Sequence, residues 1–361
     1  MVKVAAIDCG SNSTRLLIAD VSSGELVQIF KTHKVTKTSE GLEGSNEISN
    51  DAKNRLIKAL REYQKKINLE NVDQIFITGT AVFRDAQNSE KIIEEIKNKL
   101  DLEIQVISGE EEGFLTSIGV LSTNTIEENF FIVDIGGRST ELIYDSEKRT
   151  NVHSLDIGVV SLTERVSNIN PYSSSDKEEA DDLINKNIDL EIETQQTFMI
   201  GVSGTFTSIA SIFLEQKIYN EEEIHLTSLS YSWISNLSSK LNQMSEAQII
   251  SKYPSLDPKR AKTLSSGVLI VCNIMKKFKF DEMLTGCEDI EFASKVQNIG
   301  GLIYYSAESQ VSHFHDEQSK QIRNRYKREA QALKEIYGHV LNFSILDLAK
   351  GVFNEIRLDL Q

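Results

Sequence analysis

Four short stretches of this sequence set glycine and hydroxyl side chains directly behind an apolar run. They are Asp8–Thr14 (DCGSNST), Thr78–Thr80 (TGT), Asp134–Thr140 (DIGGRST) and Gly201–Thr205 (GVSGT). Glycine lets backbone N–H groups approach an anion closely, and serine and threonine add hydroxyl donors. The second and fourth stretches lead into helical patterns, whose first amides can also face an anion. Together the four point to phosphate. Arg15 and Arg84 follow the first two loops and are candidate partners for phosphate oxygens.

Carboxylates supply the complementary chemistry. Asp8 and Asp134 each close an apolar strand. That position suits Mg²⁺, which takes a few carboxylates and completes its shell with water and phosphate oxygens. Glu141, seven residues after Asp134, can reach the same ion directly or through water. Local turn hydrogen bonding is the better account of either aspartate taken alone. Residues Glu110, Glu111 and Glu112 form a run of three acids. Acids favour the first turn of a helix; one of them directed into a cleft would serve as a general base on water.

The elements that position these groups follow from hydrophobic pattern. Strands are predicted at 3–8, 15–21 and 24–30, with Ser23-Gly24 as a hairpin turn. A helix is predicted at 51–67, capped by Asn50, with Ala52, Leu56, Ala59, Leu60, Tyr63 and Ile67 as its apolar stripe. A strand at 74–78, helices at 80–86 and 89–100, a strand at 103–107 and a helix from Gly109 follow. The pattern then restarts with strands at 129–134, 140–145 and 151–156, a helix at 175–188 and a strand at 197–201. A helix from about 205 and mostly helical sequence over 230–279 complete it. Strands alternating with helices indicate an α/β architecture. The pattern D-x-G-x-x-S-T-x-L occurs at 8–16 and again at 134–142, after an apolar strand each time. Two similar lobes are the economical explanation.

The chain has 361 residues and a net charge of −15, from 39 basic and 54 acidic side chains. Such a balance makes a poor general binder of nucleic acid or anionic membrane. No run approaches the ~18 apolar residues of a membrane span, and three cysteines argue against a disulfide framework. A cytoplasmic location is expected. An anionic substrate must then be met by a local cation cluster, backbone amides or a metal ion.

The segments AAIDCGSNSTRLLIA, ITGTAVFRDAQN, VISGEEEGF, FIVDIGGRSTEL, SLDIGVVSLTE and GVSGTFTSIA occur in order across residues 1–280. In this series the chain resembles the exopolyphosphatase / guanosine pentaphosphate phosphohydrolase (Ppx/GppA) family. The resemblance implies a duplicated actin-like (ribonuclease H-like) two-lobed phosphotransferase fold, here 1–124 and 125–284, with the site between the lobes. It implies Mg²⁺-dependent release of terminal phosphate from inorganic polyphosphate or pppGpp, and homodimerisation is common in such enzymes. By resemblance, Glu112 is the base, and Asp134 and Glu141 are the metal-associated carboxylates. Arg84 is the polyphosphate-contacting arginine, and Asn12, Ser13, Gly136, Gly137, Ser139, Gly204 and Thr205 lie in the phosphate loops. Arg138 stands where the family loop has a third glycine, either adding a phosphate contact or blocking the loop. A catalytically silent phosphate- or nucleotide-binding protein is the alternative. Residues 286–340, beginning GCEDIEFASKV, instead resemble the end of a family-2 type glycosyltransferase, with Glu288-Asp289 and His313 or His315 in its motif positions. No sugar-nucleotide half precedes them, so a tail of unknown role is expected over 285–361.

Overall fold

A computed structural model describes residues 2–21, 27–123, 130–146, 149–166, 171–192 and 198–285. The chain opens with strands β1 (Lys3–Cys9), β2 (Ser13–Asp20) and β3 (Val27–Val35), then helices α1 (Leu42–Ser45) and α2 (Asn50–Leu69). β4 (Gln74–Gly79), α3 (Ala81–Asp85), α4 (Ser89–Leu100) and β5 (Gln105–Val106) complete a sheet of order β3-β2-β1-β4-β5. After α5 (Gly109–Thr123) the path restarts with β6 (Phe131–Ile135), β7 (Thr140–Ser146) and β8 (Arg149–Leu155). α6 (Val159–Val166), α7 (Ser174–Asn187), β9 (Phe198–Val202), α8 (Gly204–Phe213) and α9 (Glu221–Ile224) follow. β10 (Ser228–Ser230), α10 (Tyr231–Leu241), α11 (Glu246–Lys252), a 3₁₀ turn (Pro258–Arg260), α12 (Ala261–Phe278) and β11 (Glu282–Thr285) end the described chain. The second sheet has order β10-β11-β9-β6-β7-β8.

Each half is an antiparallel three-strand meander whose first strand pairs in parallel with a later one, β1 with β4 and β6 with β9. This is the duplicated actin-like fold. The repeat extends to register: Asp8 faces Arg15 across β1–β2, and Asp134 faces Glu141 across β6–β7. Both turns close alike, Gly10 N donating to Ser13 O at 3.0 Å and Gly136 N to Ser139 O at 2.9 Å.

The pattern of side chains explains the layers. Central β1 is buried on both faces along VAAIDC, as a strand covered on two sides must be. The predicted stripe of α2 is buried, its Leu56, Leu60 and Ile67 in one core with Ile7, Leu16 and Ile18, each of those three side chains stabilising by roughly 1.5–3 kcal/mol. The cap of α2 is Ser49 rather than Asn50: its side chain accepts from Ala52 N at 3.2 Å, and Asn50 is already helical. α12 is buried along most of its length, with Leu264, Val268, Leu269, Ile270, Val271, Ile274 and Met275 in the centre of the second core.

Other elements depart from the pattern reading. α6 carried no assigned pattern, because SLDIGVVSLTERV reads equally as strand. The strand expected over 103–107 is only Gln105–Val106. β11, which the sequence pattern did not mark as a strand, lies between β9 and β10 in the second sheet and carries that lobe one residue past its expected end, to Thr285. Precursor to the second half in sequence, α5 nevertheless packs on β7 and β8. Its glycines Gly109 and Gly113 fall four apart on one face; a Cβ at Gly113 would stand 2.5 Å from Val152 Cγ1, and one at Gly109 would overlap Ser154. The Ser23-Gly24 turn and the whole glycosyltransferase-like tail, with Glu288, Asp289, His313 and His315, lie outside the described residues.

Candidate active site

The two repeated turns meet face to face. A Cβ on Gly137 would stand 2.8 Å from Ser11 Cβ and 3.2 Å from Asn12 N. Each turn is held from behind by its own lobe. Lys37 N donates to Asn12 O (2.8 Å) and Ser39 N to Ser11 O (3.0 Å); Val159 N donates to Gly136 O (3.0 Å) and Val160 N to Gly137 O (2.7 Å). Tyr63 of α2 adds a bond from its hydroxyl to Thr14 O at 2.7 Å.

Between them lies a cavity of about 90 Å³. Its wall brings together Asn12, Ser13, Arg15, Gly136, Gly137, Ser139, Gly204 and Thr205 with the acids Asp8, Glu112 and Asp134. Thr80 and Ser203 complete the four loops. Ser203 has φ 80° and ψ 178°, a conformation ordinarily left to glycine, and its hydroxyl donates to Ile135 O at 2.9 Å. Such strain gathers where a ligand-binding backbone is over-determined by its surroundings.

The geometry distinguishes the three consecutive acids. Glu111 caps its own helix: its carboxylate accepts from Ser108 N at 2.7 Å while Ser108 Oγ accepts from Glu111 N at 3.1 Å. Glu110 is exposed. Glu112 is buried and turns to the cavity, because the glycine face of α5 is fixed on the second sheet. Its Oε2 accepts from Arg84 Nη1 at 3.0 Å.

Arg84 and Glu141 are the two expected site residues that do not line the cavity. Arg84 is held behind Glu112 by that bond and by one to Ile107 O at 2.9 Å. Glu141 is 1% exposed and accepts from Ser154 Oγ at 2.9 Å. Burial, with the charge of Glu112 adding to it, pushes its carboxyl up to about 8. Arg138 neither enters the cavity nor strains the loop, since its φ is not in the left-handed region that glycine would supply. Arg260 was missed by sequence reading. Its guanidinium lies against Gly204 on the cavity wall, from a 3₁₀ turn with no repeat counterpart among the described residues.

The donor set fits a hard divalent cation. Asp8 Oδ1 is buried without a hydrogen-bond partner, and Asp8 and Asp134 approach from equivalent strand ends. Three carboxylates on the wall outnumber the two guanidinium groups of Arg15 and Arg260, so an anion there needs further positive charge. No group of three or more ligating side chains gathers among the described residues. Two carboxylates with water and phosphate oxygens are what Mg²⁺ ordinarily takes.

Residues 17–288 match the model of the Ppx/GppA phosphatase family. The chain belongs to this family. The match spans both lobes and stops at the start of the tail. Among relatives, the chain is 30% identical over 304 residues to the bifunctional 3-dehydroquinate synthase/phosphatase of Fusobacterium nucleatum, covering 79% of this chain but only 45% of that protein. It is 26% identical over 294 residues to exopolyphosphatase 2 of Mycobacterium tuberculosis, covering 77% and 92% respectively. The crystal structure of the Ppx/GppA family member of Aquifex aeolicus superposes with a TM-score of 0.69 at 25% identity, over 83% of this chain and 99% of that one. A Ppx/GppA phosphatase therefore accounts for the repeat, the two sheets and the four loops together. No described helix is long and apolar enough to cross a membrane.

Proposed function

We propose that this Ppx/GppA phosphatase hydrolyses phosphoanhydrides, releasing the terminal phosphate of inorganic polyphosphate or pppGpp. One observation carries the reading: Glu112, alone of its acidic run, is buried on the wall that both repeated turns share. Its carboxylate takes a proton from water as the water oxygen bonds to the terminal phosphorus. The bridging P–O bond breaks in line, and the shortened chain leaves as an oxyanion. Arg84 orients Glu112, while Ser13, Ser139, Thr205 and the amides of the glycine turns hold the phosphoryl oxygens. Arg15 and Arg260 balance their charge. Asp8 and Asp134 would hold Mg²⁺, which when bound supplies charge compensation for the phosphate oxygens. The relative named an exopolyphosphatase supports the substrate class.

The test is phosphate release from polyphosphate of several lengths, pppGpp and ATP, each with and without Mg²⁺. Turnover of the first two is expected; preferential turnover of ATP overturns the reading.

A further inference from the structure

Arg138 is 6% exposed, yet it sits in the turn between β6 and β7 and reaches across to the first lobe. Its Nε donates to Asp85 Oδ2 at 2.7 Å, and its Nη2 stands 2.9 Å from Glu43 Oε1. Nη1 is buried with no acceptor. A buried guanidinium with a donor unsatisfied is a weak stabiliser, because desolvation offsets much of the attraction. Its geometry suggests a different role. Asp85 follows Arg84 on the five-residue α3, and Arg84 is the residue bonded to Glu112. One short helix therefore touches the turn through one side chain and the acid through the next. The seam around it is pinned by the same two lobes. Arg165 Nε stands 3.1 Å from Glu43 Oε2, and Glu164 accepts from Gly41 N at 2.7 Å.

We infer that Arg138 is a positioning residue: by gripping Glu43 and Asp85 it clasps the second lobe to α1 and α3, and so fixes Arg84 against Glu112. The inference rests on the hydrolase reading for its kinetic consequence and on the contacts alone for its structural one. Arg138 thus acts on the chemistry without touching substrate.

The experiment uses the full chain as wild type, Arg138→Gly, Arg138→Lys, Asp85→Asn and the Arg138→Gly/Asp85→Asn pair. Amide hydrogen exchange is followed in α3, where Phe83 N and Arg84 N bond to Thr80 O, and at its C-cap, where Ala86 N bonds to Val82 O, alongside steady-state phosphate release from polyphosphate. Loss of the clasp is expected to speed α3 exchange about tenfold. It should lower kcat about tenfold while KM moves less than about threefold. The double variant should match the poorer single, because one bond is removed twice. Arg138→Lys should recover part of kcat, since one ammonium reaches only one of the two carboxylates. Asp85 is half-exposed, so its variant keeps the test informative should Arg138→Gly fold poorly. Unchanged α3 exchange overturns the clasp. Multiplying effects in the pair, or a KM rise at constant kcat, overturn the positioning role. If wild type releases no phosphate from any phosphoanhydride, the hydrolase reading has failed, and the exchange result decides the clasp by itself.

Discussion

Replacing Gly137 by alanine should cripple turnover while leaving the fold intact. The added Cβ would stand 2.8 Å from Ser11 Cβ and 3.2 Å from Asn12 N. Carbon atoms in contact prefer ~3.5–4.0 Å, so the two turns must part by roughly 0.7–1.2 Å. Neither turn can yield locally. Ser11 O and Asn12 O are bonded to Ser39 N and Lys37 N, and Gly137 O accepts from Val160 N and from Ser161 N at 3.1 Å. The displacement therefore passes to the distance between lobes. A misplacement near 1 Å costs about 10²-fold in rate, about 2.7 kcal/mol of transition-state stabilisation. Gly44 in α1 is the control, since a Cβ there has nothing within 4 Å. Phosphate release and thermal melting of both variants decide the matter. A Gly137→Ala rate within about twofold of wild type would refute the reasoning, as would an equal loss in Gly44→Ala.

Glu112→Gln should lower kcat by about 10²–10⁴-fold with KM nearly unchanged, read by single-turnover phosphate release; a full rate would remove Glu112 from the mechanism. Chelation should abolish phosphate release and Mg²⁺ should restore it, whereas chelator-insensitive turnover would show that Asp8 and Asp134 hold no required ion. Leu56→Ala removes a fully buried side chain of α2; urea unfolding should show a loss of about 2–5 kcal/mol. Burial pushes the Cys9 thiol well up and the Cys272 thiol up to about 12. Both should resist iodoacetamide in the native protein at mildly alkaline pH and react on unfolding, as mass spectrometry would show.

The repeat was legible because turn chemistry is local. D-x-G-x-x-S-T specifies the same Gly-to-Ser backbone bond in both halves whatever packs around it. The α2 stripe was legible for a similar reason, its period being intrinsic to the helix. What the sequence withheld depends on which surface each element meets. Residue type and spacing alone do not mark Glu112 rather than Glu110 or Glu111, which only the family resemblance separated; the physical distinction comes from Gly109 and Gly113 pressing α5 onto β7 and β8. Arg84 was read as a phosphate contact because an arginine after a glycine loop has that chemistry, yet a carboxylate brought from α5 claims its guanidinium. Arg138 was read as an addition or an obstruction because both alternatives considered only its own loop. Its partners, Glu43 and Asp85, lie far away in sequence, and pairings at that distance leave no periodicity to detect.

Two equivalent hairpins, left identical, would greet a ligand the same way from either end. Here the residue opposite the strand-end aspartate is Arg15 in one copy and Glu141 in the other. The residue two positions after the turn glycine is Asn12 in one and Arg138 in the other. Asn12 and Arg15 reach the cavity wall while their counterparts Arg138 and Glu141 turn away from it, so a duplicated motif meets the shared space with two unlike faces.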